Sequence, residues 1–292
     1  MRINTNVSSL VAQEANQNTT KNISSSLEKL STGLKINKAS DDASGLAIAD
    51  KLRTQASGLN QAVANGNSAV TLTQIADKAM AEQSNILDVI KQKLIQAGTA
   101  TTSAEGIEAI GKDVRKLLDQ VDNIASQTTY NGTSLLQASA GAAGATTALT
   151  FQMGTLAADT IKTDGGVDAN TTGMTGLATI KTAATSALWS AGASAANLQS
   201  GARDLLIQVD SALTELNGWR ADFGSTQNQL ESSIRNLMTQ VTNTLAAESV
   251  IRDVDYAEES ANFNKQNIIS QAGTYAISQA NSASQNVLRL LQ

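Results

Sequence analysis

The sequence predicts a mainly α-helical protein, a long antiparallel helical bundle or coiled-coil hairpin with a small β-hairpin insertion, built in discontinuous layers. Three observations support this fold class. The chain of 292 residues has no Pro, a residue that removes a helical donor and clashes with the preceding turn. Apolar and small residues recur at alternating three- and four-residue steps, which places them on one helix stripe. Aromatic residues make up only 3%, so few large side chains are available for a globular core.

The longest predicted helix begins after Ser40-Asp41-Asp42, whose short oxygens can cap the first free amides and whose charge suits the helix dipole. The pattern continues to about Gln96, and Gly98 then offers a stop. At a rise of ~1.5 Å per residue this segment would form a rod roughly 85 Å long. Its stripe consists of Ala49, Leu52, Ala56, Leu59, Val63, Gly66 and Val70.

Two further helices are predicted in the same way. A capping box at Thr102-Ser103-Ala104-Glu105 opens one helix, which closes near Thr129, before the turn signal Asn131-Gly132. The other follows a stripe of apolar residues from 205 to 245 and contains Gly218 and Gly224. Each of these glycines costs about 1 kcal/mol relative to Ala in a helix.

The segment 136–190 differs in composition, being rich in Ala, Gly and Thr, with no sustained helical stripe before about Ala178. Within it, Thr150–Gly154 and Asp159–Thr163 are typical of two short strands of a hairpin. We therefore expect a small, exposed, partly β insertion here.

Both chain ends are predicted to be amphipathic helices with narrow apolar faces. Their large apolar side chains are too few to offset the entropy of ordering the two segments, so the ends are expected to order against other subunits. The alternative is that the same residues form the core of a self-contained bundle. The residues predicted to make self-assembly contacts are Ile3, Val7, Leu10, Leu27, Leu30, Leu34, Ile269, Ala272, Ala276, Ala280, Ala283, Val287, Leu290 and Leu291.

The missing residue types exclude much chemistry. The chain has no His and no Cys, so it offers no Ser-His-Asp triad, zinc site, thiolate nucleophile or disulfide. Nucleotide-binding glycine motifs are absent as well. We therefore expect no catalytic, cofactor-binding or metal-binding residues, and no enzyme.

The net charge is −5 with dispersed Lys and Arg, which argues against a nucleic-acid partner. Neither a signal-peptide core nor an apolar run of membrane-spanning length occurs, so no membrane partner is expected.

Short motifs follow one another in a characteristic order. The N-terminal part contains MRINTN (1–6), LEKLSTG (27–33), SDDASGLAIA (40–49) and QTTYNG (127–132). The C-terminal part contains DVDYA (253–257), QAGT (271–274) and QNVLRLLQ (285–292). Together they resemble the bacterial flagellins over nearly the whole chain, and the pattern at 88–95 is similar to the Campylobacter and Helicobacter group.

The resemblance implies a hairpin-shaped subunit that polymerises into the helical flagellar filament for motility, after export as an unfolded chain through the type III channel. It implies an inner coiled-coil domain (1–40 with 255–292), a helical rod domain (41–135 with 191–254) and an outward-facing insertion (136–190). The implied partners are identical subunits, an export chaperone near the C-terminus, the filament cap and the hook-junction proteins.

The segment 88–95 aligns with the rod-helix patch at which Toll-like receptor 5, an innate immune receptor, binds many flagellins. Strongly stimulating members have Arg where this chain has Val89 and Leu where it has Lys93, which removes a multidentate donor and adds a charge. We expect weak or absent receptor recognition. The alternative, which is compatible with it, is that Val89, Ile90 and Leu94 simply face neighbouring helices. The residues equivalent to the patch are Val89, Ile90, Lys91, Lys93, Leu94 and Ile95.

Other functions stay open at this stage. A hook-junction or other type III rod protein would have the same design at its ends, although the motifs at 27–49 and 285–292 favour the filament subunit. A proteolytic flagellin would need a zinc motif, and the chain has no His. Segment 133–190 contains seventeen Ser and Thr residues, some of which could carry O-linked sugars as in related flagellins.

Overall fold

The computed structural model of the chain describes residues 6–137, 148–163, 165, 167–185 and 195–290. The prediction of a mainly α-helical protein with a small β-hairpin insertion is confirmed. Within the described residues the helices are α1 (Val7–Thr32), α2 (Ala43–Ala97), α3 (Ala104–Gln127), α4 (Leu177–Thr185), α5 (Ala195–Arg252) and α6 (Tyr256–Leu290). The strands are β1 (Thr129–Tyr130), β2 (Thr133–Ser134), β3 (Thr150–Gln152) and β4 (Thr160–Lys162).

The chain divides into two compact units, one made of Met1–Ser57 with Gln240–Gln292 and the other of Gly58–Thr239. We call them the terminal unit and the central unit. Helices α2 and α5 contribute residues to both. The three-part division expected from the resemblance remains a prediction.

Helices α1 and α6 of the terminal unit pair in antiparallel fashion. At one end of the pair, the Asn6 side-chain amide donates to the Ala280 carbonyl oxygen (3.1 Å). At the other end, the Ser26 hydroxyl donates to the Glu259 carboxylate. The N-termini of both helices are capped by side-chain oxygens, which satisfies free amides. Asn6 Oδ1 accepts from the Ser9 amide (3.2 Å), and Asp255 Oδ1 accepts from the Ala257 amide (2.9 Å).

A short two-stranded contact joins the end of α1 to the chain that precedes α6. Gly33 closes α1 in the left-handed conformation (φ 74°), and its amide donates to the Lys29 carbonyl oxygen (2.9 Å). The Gly33 carbonyl oxygen then accepts from the Val254 amide (3.0 Å). Leu34 pairs with Asp253 as an antiparallel bridge. This pairing ties the end of α1 to the start of α6.

The core of the central unit combines residues from α2, α3, α4 and α5 with the chain that precedes α4. Its largest fully buried side chains are Met80, Leu87, Ile90, Leu94, Ile107, Leu118, Leu135, Leu136, Met174, Leu177, Ile180 and Leu216. Gln83 is fully buried among them, and its Nε2 donates to the carbonyl oxygens of Val121 (3.1 Å) and Ala169 (2.7 Å). A polar side chain on α2 therefore ties together α3 and a segment far along the chain.

The segment 167–180 differs from its prediction as an exposed insertion. Val167, Ala169, Met174, Leu177 and Ile180 are buried in the core of the central unit. They belong to the same hydrophobic cluster as buried residues of α2, α3 and α5. The outward direction of 136–190 within a filament remains a prediction.

Both turn predictions agree with the structure. Strands β3 and β4 pair antiparallel with Phe151 opposite Ile161. Strands β1 and β2 form a second hairpin, with Tyr130 opposite Thr133. Its two central residues, Asn131 (φ 49°) and Gly132 (φ 80°), both have positive φ, as the turn that matches strand twist requires.

Helix boundaries follow the capping signals to within a few residues. Asp42 Oδ1 accepts from the Gly45 amide at the start of α2 (2.9 Å). Ser103, rather than Thr102 of the predicted capping box, is the N-cap of α3, and it accepts from the Gly106 amide (3.2 Å). Helix α5 extends beyond the predicted 205–245 stripe at both ends.

Candidate self-assembly surface on the terminal helices

The terminal helices lack a hydrophobic core of their own. Helix α1 is 26 residues long and buries only two side chains, Thr19 and Ser26, both small and polar. Among the described side chains of α6, none is buried. An amphipathic helix of this kind normally gains its stability by packing an apolar face, and within this chain that face is left open.

The side chains between the two helices are instead largely polar. The Ser270 hydroxyl donates to Asn16 Oδ1 (3.3 Å), and Lys29 Nζ lies 4.0 Å from the Glu259 carboxylate. Such contacts set the register of the pair but add little free energy, because hydrogen bonds and ion pairs that water can still reach largely replace bonds to water.

Large apolar side chains consequently face solvent along both helices. Leu10 is 54% exposed and Tyr275 is 74% exposed. We call the set the terminal apolar surface: Val7, Leu10, Val11, Leu27, Ile268, Ile269 and Tyr275. A large exposed apolar area on a folded chain typically marks a place where another molecule binds.

Most predicted self-assembly residues are solvent-accessible in the single chain. The exposed ones are Val7, Leu10, Leu27, Ile269, Ala272, Ala276 and Ala283, and the half-buried ones are Leu30, Leu34 and Ala280. Ile3 and Leu291 lie outside the described residues, and Val287 and Leu290 lie in α6 but their side chains are not described.

Sequence reasoning missed three members of the surface, Val11, Ile268 and Tyr275. Val11 and Ile268 each adjoin a predicted residue, Leu10 and Ile269, so a wider stripe would have included them. Tyr275 follows the QAGT motif and carried no periodicity signal of its own.

The segment equivalent to the receptor patch is split between core and surface. Ile90 and Leu94 are fully buried in the central unit, whereas Val89 and Ile95 are 40% and 53% exposed. Packing against neighbouring helices therefore holds for Ile90 and Leu94 but not for Val89.

Both lysines of the patch are engaged in ion pairs. Lys91 Nζ contacts the Asp210 carboxylate, and Lys93 Nζ lies 2.8 Å from the Asp113 carboxylate. The hydrogen bond from Lys93 lowers the pKa of Asp113 below its ordinary value. The patch thus presents two isolated apolar side chains between neutralised charges.

In the part of the chain that the structure describes, no group of three or more acidic residues is arranged to hold a metal ion. The same residues contain no helix long and apolar enough to cross a membrane.

Comparison with known proteins identifies relatives for both helical regions. The model of the bacterial flagellin N-terminal helical region matches residues 3–141, and that of the C-terminal helical region matches 206–291. The flagellin of Bacillus subtilis (strain 168) is 36% identical over 306 aligned residues, covering 100% of both chains. Flagellin B of Helicobacter pylori (strain J99) is 45% identical over 161 residues, which cover 55% of this chain and 30% of that protein. The crystal structure of Bacillus cereus flagellin has 27% identity and a TM-score of 0.46, covering 63% of this chain and 94% of that chain.

Proposed function

This chain belongs to the bacterial flagellins, and we propose that its terminal apolar surface makes the contacts that hold one subunit to the next. As a flagellin it is a structural subunit of the extracellular flagellar filament and not an enzyme. The proposal concerns which side chains do the assembling and what else binds them.

The observation that carries the proposal is that no described apolar side chain of α1 or α6 is buried within the chain. Large side chains such as Leu10 and Ile269 remain in water at an energetic cost. Fully burying one of them is worth about 1.5–3 kcal/mol. Neighbouring copies present the same surface, so each subunit that joins a filament can cover several of these side chains at once.

Assembly through such a surface is weak per contact and gains strength by repetition. Because the contacts are apolar and flanked by exposed charges such as Glu14 and Lys265, we expect polymerisation to depend on salt concentration. We also expect heat or acid to return the filament to monomers.

The same surface supports the finer partner assignments. An export chaperone would cover α6 before assembly, and the filament cap and hook-junction proteins would cover it at the two ends of the filament. Each would have to hide side chains such as Ile268 and Tyr275 that a lone subunit leaves in water. Export of an unfolded chain is compatible with the absence of cysteine and therefore of disulfides.

Seeded polymerisation tests the proposal. Purified protein is melted to monomer, mixed with short filament seeds in physiological salt and imaged by negative-stain electron microscopy. Wild-type protein should extend the seeds into long hollow filaments. Leu10→Gln and Ile269→Gln each remove apolar area, while Gln still favours the helix. Both variants should slow filament growth strongly.

The matched control is Leu156→Gln, because Leu156 is 67% exposed but lies between β3 and β4 of the central unit. It should grow like wild type. Normal growth by both terminal variants, or by a chain lacking residues 256–292, would refute the assignment. A wild-type chain that bound the seed end and stopped growth would instead indicate a junction role.

A further inference from the structure

Three Asn-Gly dipeptides occur in the sequence, at 65–66, 131–132 and 217–218. In such a dipeptide the glycine nitrogen can attack the side-chain carbonyl carbon of the asparagine, because glycine has no side chain to shield its amide. Whether this happens in a folded protein depends on backbone freedom and solvent access. All three lie in the central unit, and they differ in both respects.

Asn131-Gly132 occupies the turn between β1 and β2. Both residues are exposed, and a Cβ atom on Gly132 would meet nothing within 4 Å. Among the described hydrogen bonds, the Gly132 amide donates to no acceptor. The hairpin consists of only two pairs of residues. Such a short ribbon is marginally stable on its own, so local opening of the turn costs little.

Asn65-Gly66 lies within α2, where the main-chain amide of Gly66 is held in the helical ladder. The Asn65 side chain is also held, since its Oδ1 accepts from Gln61 Nε2 (3.0 Å) and its Nδ2 donates to the Gln152 carbonyl oxygen (3.4 Å). Gly66 is buried. The helical backbone, the side-chain hydrogen bonds and burial therefore all protect this dipeptide from the attack of the glycine nitrogen.

Asn217-Gly218 distinguishes the effect of solvent access from the effect of backbone freedom. It is as exposed as the turn, and a Cβ atom on Gly218 would also meet nothing within 4 Å. Its backbone, however, belongs to α5, and the helical ladder keeps the glycine amide pointed at the preceding turn. Only its backbone conformation protects it.

We propose that Asn131 is a site of spontaneous deamidation in the folded protein. The Gly132 nitrogen loses its proton to solvent base and forms a bond to Asn131 Cγ. The Cγ–Nδ2 bond then breaks, and the nitrogen leaves as ammonia after taking up a proton from water. The resulting five-membered succinimide is opened by one water molecule at either carbonyl, which leaves aspartate or isoaspartate. No oxidant, reductant or enzyme takes part.

The two products have different structural consequences. Aspartate keeps the backbone and tolerates the left-handed conformation. Isoaspartate moves the side-chain methylene into the main chain, so the two-residue turn no longer closes the Tyr130–Thr133 pair. The strain falls next to Leu135 and Leu136, which are buried core residues. Isoaspartate at this turn therefore loosens the link between α3 and the core.

Peptide mapping by mass spectrometry tests the proposal on the full-length folded protein. Samples are held in mildly alkaline buffer, and the loss of amide at each Asn-Gly is followed with time, with isoaspartate detected by methyl-transfer labelling. The expected result is conversion at Asn131 while Asn217 and Asn65 keep their amides. Raising the pH should accelerate conversion. In denaturant, where the backbone differences vanish, all three sites should convert at similar rates.

Asn131→Gln is the blocking variant, since its longer side chain would have to close a less favourable six-membered ring. It should abolish the product at this peptide and leave the other two unchanged. The wild-type comparison does not depend on how well this variant folds. An intact Asn131 in the folded protein, or conversion of Asn217 at the rate of Asn131, would overturn the proposal.

Discussion

The hydroxyl oxygen of Tyr256 lies 2.9 Å from the point that a Cβ atom on Gly33 would occupy. Gly33 ends α1 and Tyr256 begins α6. The Tyr256 hydroxyl can lie this close to α1 because Gly33 has no side chain. Gly33 also has a φ of 74°, which other residues adopt at a cost.

Gly33→Ala should therefore destabilise the end of α1 by about 1–2 kcal/mol from the left-handed backbone alone, with a further loss from the contact with Tyr256. The additional change Tyr256→Phe removes the hydroxyl and should recover only that second part. Hydrogen exchange of the amides near the end of α1 measures both effects. If Gly33→Ala exchanged like wild type, the cap would have no energetic role.

Gln83 provides a prediction for the central unit. Replacing it by Met, which is similar in size, leaves the carbonyl oxygens of Val121 and Ala169 without their donor. The Val121 oxygen keeps its bond within α3, so the loss falls mainly on the Ala169 oxygen, and a buried unpaired group costs about 1–3 kcal/mol. Removal of Gln83 Oε1, which is buried without a partner among the described residues, offsets part of this cost.

We expect Gln83→Met to lower the free energy of unfolding by roughly 1–3 kcal/mol in urea titrations. Gln83→Glu should destabilise more, because it places acceptor oxygens where a donor is needed. A Met variant as stable as wild type would show that the two hydrogen bonds add nothing net.

We expect the loop between α1 and α2 to lose stability in acid, because of the hydrogen bonds to Asp41. Its carboxylate accepts from the main-chain amides of Lys38 (3.0 Å) and Asn37 (3.1 Å), and these bonds lower its pKa below the ordinary 3.8. A lowered folded-state pKa contributes stability above the unfolded-state value, and that contribution disappears as the pH falls through the folded-state pKa.

The amides of Asn37 and Lys38 should therefore be protected from exchange near neutral pH and lose protection below about pH 4. In Asp41→Asn the protection should be weaker near neutrality and vary less with pH. A wild-type profile in the variant would mean that another group causes the acid response.

We expect poor recognition by Toll-like receptor 5. In the receptor patch Val89 and Ile95 are exposed, and Lys91 and Lys93 are each paired with an aspartate. Wild-type protein should activate reporter cells far less than an enteric flagellin. Val89→Arg combined with Lys93→Leu should raise the response, whereas Val89→Lys should do less, since Lys lacks the planar multidentate donor. A strong wild-type response would refute the prediction.

Local signals explain what could be predicted from the residues alone. The positions of α2 and α3 followed from apolar spacing and from capping oxygens at Asp42 and Ser103. The turn at Asn131-Gly132 followed from the backbone preference of those two residues. Helices and tight turns depend on interactions between residues a few positions apart, which a sequence displays directly.

Which apolar stripes are buried within the chain could not be predicted in this way. Adjacent Val89 and Ile90 differ completely in exposure, because a neighbouring helix covers one side of α2 and not the other. The segment 167–180, expected on the outside, packs in the core of the central unit.

The sequence by itself determined the family of this protein, the places where its helices start and its lack of histidine and cysteine chemistry. Only the tertiary structure decided which apolar stripes close on themselves and which stay open. Gln83 reaches Ala169 across 86 positions of chain, whereas α1 and α6 meet mainly through polar groups and leave Leu10 and Ile269 in water. The physical reason is that burial depends on partners brought together from distant parts of the chain, and for the terminal helices the described residues of this chain supply no apolar partners that bury them.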